Sequence, residues 1–151
     1  MRRLPLLLSV IAVVGLALTF NFPTPASEAG ASPAMQNRPI NMTIGCAGDD
    51  VDEVRIVPWT VRLSKRGGER ATFRLQQASD VEFVIIQVKS GSSWPFETPP
   101  TPDFRVPRGG GNAVTTGAIL SNAQEGTYFY NIVAVCGSDE TVVDPRMRID
   151  P

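Results

Sequence analysis

Residues 125–137 read EGTYFYNIVAVCG, and this stretch decides the fold. Tyr128, Tyr130, Ile132 and Ala134 recur at every second position, the period of a strand with one buried face. A helix would return its apolar residues every three or four positions. The spacing predicts one long strand over 127–135, with Cys136 directly behind it.

The same period continues outward along the chain. Ile40, Met42 and Ile44 alternate with Asn41 and Thr43. In residues 53–64, EVRIVPWTVRLS, Val54 and Ile56 share one phase, while Trp59, Val61 and Leu63 share the other. The slip falls at Val57-Pro58, where proline brings no N–H, so a bulge or kink near a sheet edge is expected there. A turn at Lys65-Arg66-Gly67-Gly68 follows, then Ala71, Phe73 and Leu75 alternate with polar neighbours. Residues 81–88, VEFVIIQV, are apolar at nearly every position, the composition of a central strand covered on both faces. Residues 113–120 form a weaker strand, and the last strand is expected over 142–149. Seven or so short strands without a long helix predict an all-β, antiparallel Greek-key β-sandwich.

The segment EGTYFYNI resembles the G-T-Y-x-[FY]-x-C pattern of the cupredoxin family through Gly126, Thr127, Tyr128 and Tyr130. Residues 56–75, IVPWTVRLSKRGGERATFRL, are similar to that family's strand–turn–strand segment ahead of its first copper histidine. Immunoglobulin-like sandwiches end on a similar strand and are the alternative. Carried over residue by residue, the resemblance puts the copper cysteine on Ile132 and the histidine three residues later on Val135. The chain contains no histidine at all. A blue-copper centre needs a thiolate and two imidazoles, so the resemblance implies the scaffold without its metal. No cofactor and no metal site are expected.

The start of the chain has the parts of an export signal: Arg2 and Arg3, an uncharged apolar run over 4–20, then small residues up to Ala29-Gly30-Ala31. The expected division is a signal peptide over 1–31, a flexible lead-in over 32–38 and a β-sandwich domain over 39–151. A retained signal would instead act as a membrane anchor. The expected location is secreted or periplasmic, with membrane contact only if the signal is uncleaved.

Outside the cytosol, Cys46 and Cys136 are most simply a disulfide. With 90 positions between them, the loop-entropy model assigns the bridge about 4–5 kcal/mol. Removing Arg2, Arg3 and Glu28 from 14 basic and 15 acidic residues leaves 12 and 14, a net charge of −2. No basic stripe remains to neutralise phosphates, which argues against nucleic acid.

Without histidine, Ser-His-Asp and Cys-His catalysis is excluded, as are zinc sites built on imidazole. Asp49, Asp50, Asp52 and Glu53 offer hard oxygen ligands, but their spacing matches no calcium loop and reads as a solvated turn. Asn41-Met42-Thr43 meets the glycosylation pattern. The long irregular segment over 92–112 carries five prolines with Trp94, Phe96 and Phe104. Those aromatics form either a partner-binding loop or a lid folded onto the core, and the burial preference of large rings favours the lid. The sum is a non-catalytic binding or structural domain for an unknown protein or small ligand. The alternatives are a calcium-binding or carboxylate-dependent hydrolytic module, or a membrane-anchored subunit of an envelope complex.

Overall fold

Ile40, Met42 and Ile44 are fully buried while Asn41 and Thr43 between them are not, and this alternation builds β1 (Asn37–Ala47). The computed structural model describes residues 36–98 and 104–151. The expected signal peptide and most of the lead-in lie outside the described residues. β1 itself begins inside the stretch read as lead-in, two positions before the expected domain start at 39.

A tight turn at Gly48-Asp49 returns the chain as β2 (Asp50–Val57), antiparallel to β1. The residues read as one kinked strand are two strands in different sheets. β2 ends at Val57, the chain crosses over through Pro58 and Trp59, and β3 (Thr60–Ser64) starts in the opposite layer. Trp59, expected in phase with buried Val61 and Leu63, falls in that crossover and is 45% exposed. β4 (Arg70–Leu75) then recrosses and lies parallel to β1, Ile40 opposite Phe73.

β5 (Phe83–Val88) pairs antiparallel with the short β6 (Arg105–Pro107) and with β8 (Gly126–Cys136). The strand expected over 113–120 shrinks to β7 (Val114–Thr115), which pairs with β4, and a single bridge from Ile119 to Phe96. The expected last strand is divided. Asp144-Pro145 separates β9 (Asp139–Val143) from β10 (Arg146–Asp150), because proline cannot donate to a ladder. Both pair with β8, β10 along its first half and β9 along its second.

The result is all-β: a four-stranded sheet in the order β2-β1-β4-β7 packed on a six-stranded one in the order β3-β10-β8-β5-β6, with β9 beside β8. The pairings are antiparallel except β1 with β4 and β3 with β10, which run parallel. Each exception follows from a crossover, since leaving a sheet and returning lets a strand re-enter in its neighbour's direction. The core is the meeting of the two inner faces. Met42, Phe73 and Leu75 come from one, and Ile86, Tyr130, Ile132 and Met147 from the other, all at most 1% exposed. Phe73 meets Phe104 and Tyr130 edge-to-face, with ring centres 6.0 and 5.7 Å apart.

Among the links between the sheets, two sit at opposite ends of β1. Cys46 of β1 and Cys136 of β8 form a disulfide, with Cα atoms 5.8 Å apart. At the other end of β1, buried Glu69 accepts hydrogen bonds from Arg38 of β1 (Nε, 2.9 Å) and from the backbone N–H of Ser64 in β3 (2.7 Å).

Candidate functional site

At one end of the sandwich the chain leaves β5 through Lys89-Ser90-Gly91-Ser92 and approaches β8 through Asn122 to Glu125. Gly91 turns the first loop with φ of 80°, a conformation that side chains resist, and the Ser92 N–H donates to the Lys89 carbonyl. The loop is anchored to β8, since the Phe129 N–H donates to Ser92 Oγ at 3.3 Å. On the opposite wall, Tyr128 Oη donates to the Gln124 carbonyl at 2.7 Å and Lys65 Nζ donates to the Ala123 carbonyl at 2.8 Å.

Between these walls lies an open cleft of about 520 Å³. Its polar lining comes from Ser90, Ser93, Thr127 and Gln124, with Glu125 as a carboxylate and the rings of Tyr128 and Phe129 beside them. A second hollow of about 360 Å³ adjoins it and shares Ser93, Gln124 and Tyr128, with Trp94 on its rim. Lys89 also lines the first cleft, but its ammonium is paired with Asp144. The chemistry on offer is hydrogen bonding and ring contact. Glu125 is the one carboxylate among the lining residues of either hollow, whereas hydrolysis by a carboxylate pair needs two.

The sequence-derived candidates fall elsewhere or only partly here. Phe96 and Phe104 are 2% and 9% exposed and belong to the core, so neither offers a surface to a partner. Trp94 is half-buried, its ring edge-to-face with Phe96 at 5.1 Å and with Phe104 at 6.4 Å, and its Nε1–H donates to the Thr98 carbonyl. It is the one of the three that reaches the cleft region.

Asp49 packs against Gly137 so closely that no β-carbon would fit there, and Asp52 lies against Gly45. Among the described residues no three of His, Cys, Asp and Glu converge to hold a metal ion. Asn41 is half-buried in β1, and its side-chain oxygen accepts from Gln76 at 3.0 Å. Ile132 is fully buried, Val135 is exposed and Cys136 is oxidised in the disulfide. The two positions that the resemblance sets against copper ligands, Ile132 and Val135, therefore lie on opposite faces of β8, and Cys136 faces the core with Ile132.

The cleft itself was not legible in the sequence. Its only signals are the Lys-Ser-Gly-Ser-Ser turn composition and Gln124-Glu125 ahead of β8, and neither predicts that the two loops meet. The chain matches no protein-family model and no curated protein.

Proposed function

We propose that this chain is an exported, non-catalytic binding module, a cupredoxin-like sandwich without copper, that takes its ligand in the cleft between the 89–95 loop and residues 120–129. The observation that carries this reading is the cleft's lining of hydroxyl, amide and aromatic groups on strand-anchored walls. Sites held on such walls lose little entropy on binding. The absence of histidine from the sequence and the single lining carboxylate support a binding role over hydrolysis. Export is supported by the leader-like residues 1–31 and by the disulfide, which is at home in an oxidising compartment.

The test is site-specific photo-crosslinking in the native envelope or medium. A benzoylphenylalanine at Ser93 should give a defined adduct, while one at Arg74, exposed on the four-stranded sheet, should give none. Equal labelling from both positions, or none from Ser93, overturns the cleft assignment. Adding Cu(II) to the purified protein should leave it colourless, and an intense thiolate-to-copper band would refute the metal-free reading.

A further inference from the structure

The apolar residues of the six-stranded sheet do not stop at its buried face. Ile85, Val133 and Val142 stand in register across β5, β8 and β9 on the opposite face, and Arg105 on β6 ends the row. Phe129 and Val135 share that face of β8, and Phe83 shares it on β5. Phe129, Val135 and Val142 are 38%, 42% and 48% exposed. An antiparallel sheet with one solvated face normally alternates polar residues outward. Here Phe83, Ile85, Phe129, Val133, Val135 and Val142 are apolar at outward positions, with Gln87, Asn131 and Glu140 as the polar residues among them; of the six only Val133, at 5% exposed, is buried.

Two arginines bracket this strip. The Arg105 guanidinium sits 4.5 Å from the centre of the Phe83 ring, and that of Arg146 on β10 sits 5.6 Å from the Phe129 ring. Neither has a carboxylate partner among the described residues. Beside them Arg62 and Arg148 share the single carboxylate of Asp150. Glu140 on β9, opposite Val135, is a second carboxylate on this face, and the four arginines still leave it positive in a chain of formal net charge −1. A guanidinium already held over a ring gives up less side-chain freedom when it takes a carboxylate.

We propose that this face docks a second protein whose contact surface carries carboxylates on either side of an apolar centre. Charge complementarity selects that occupant. Two copies of this face would set positive against positive, which disfavours self-association. An anionic bilayer would gain only about 1 kcal/mol per unpaired arginine, and a flat sheet face has no loop to insert. Neighbouring strands lie about 4.8 Å apart, so β6 and β10 are separated by roughly 14 Å, which sets the spacing of the partner's carboxylates. The strip's six apolar residues fall well short of the roughly 20–30 residues a side of a stable complex, so docking is weak, reversible and salt-sensitive.

The test is an NMR titration of the disulfide-closed protein with the capped peptide Glu-Val-Phe-Val-Glu, whose extended form sets its carboxylates about 14 Å apart. Amide shifts should centre on Phe83, Ile85, Phe129, Val133, Val135 and Val142. Binding should weaken about tenfold in the R105Q/R146Q double variant, with the Gln-Val-Phe-Val-Gln peptide, or in about 0.5 M salt. Val142→Glu should abolish it without lowering the melting temperature. Equal binding of both peptides, binding only to phosphatidylglycerol vesicles, concentration-dependent self-association instead of peptide binding, or no shifts at all would each overturn the proposal. The cleft reports separately: shifts at Ser93 and Gln124 alone would speak for the cleft and against the face.

Discussion

Tyr130 carries a hydroxyl without a hydrogen-bond partner among the described residues. Its ring fills the core against Phe73, while burial pushes the phenol's pKa above its ordinary value. An unsatisfied buried hydroxyl costs about 1–3 kcal/mol, so Tyr130→Phe should stabilise the protein. A higher denaturant midpoint at unchanged slope is the expected result, and a lower one would show that the hydroxyl has a partner such as buried water. Glu69 is the opposite case. Burial raises its pKa, but the Arg38 hydrogen bonds, the Ser64 N–H and the Arg38 charge outweigh burial and hold the carboxyl below its ordinary range. A lowered carboxylate pKa contributes stability that is full above the unfolded value and lost as pH falls through the folded one. At neutral pH Glu69→Gln should therefore cost about 1.5–3 kcal/mol. Denaturation midpoints measured from about pH 7 down to pH 3 should show that difference shrinking, and a constant gap would remove the ion-pair explanation.

Among the elements, the 94–98 segment shows how a loop becomes part of the core. Its backbone is tied to the opposite strand region, Leu120 N–H donating to Pro95 O and Glu97 N–H to Ala118 O, which sets Phe96 under the lid. Trp94→Ala removes a half-buried ring from two aromatic neighbours and should destabilise by about 2 kcal/mol, short of the cost for a fully buried tryptophan. An unchanged thermal melt would make Trp94 a surface residue with no lid role. β5 carries the other lesson at this scale. Its nearly continuous apolar run reads as a strand covered on both sides, yet the structure covers one side and leaves Phe83 and Ile85 half-exposed. Periodicity reports how apolar a strand is on each face, and it is silent on what covers the second face. The crossover at Pro58 and the break at Asp144-Pro145 were likewise visible as punctuation, but not as a change of sheet or of pairing segment.

For the whole molecule, stability depends on holding two sheets together through both ends of β1. Arg38 and Cys46 are eight residues apart on that strand, roughly 27 Å, and each takes part in a link to the six-stranded sheet. Replacing both cysteines by alanine should cost about 4–5 kcal/mol and bring the unfolding midpoint down sharply. Non-reducing peptide mapping should find Cys46 joined to Cys136, whereas two alkylatable thiols in natively purified protein would contradict the bridge.

Composition and period alone determined that this chain is all-β, which residues of most strands face its core, and that imidazole chemistry is closed to it. These are local properties: a strand's side chains alternate whatever lies beside it, and a missing residue type is missing in any fold. Only the tertiary structure decided that β4 and β10 each have a parallel neighbour, that Phe96 and Phe104 are core, that two distant loops enclose a cleft, and that an apolar sheet face is left open. Those depend on which segments, dozens of residues apart, come into register, and the energy that selects a register belongs to the pair of strands rather than to either sequence.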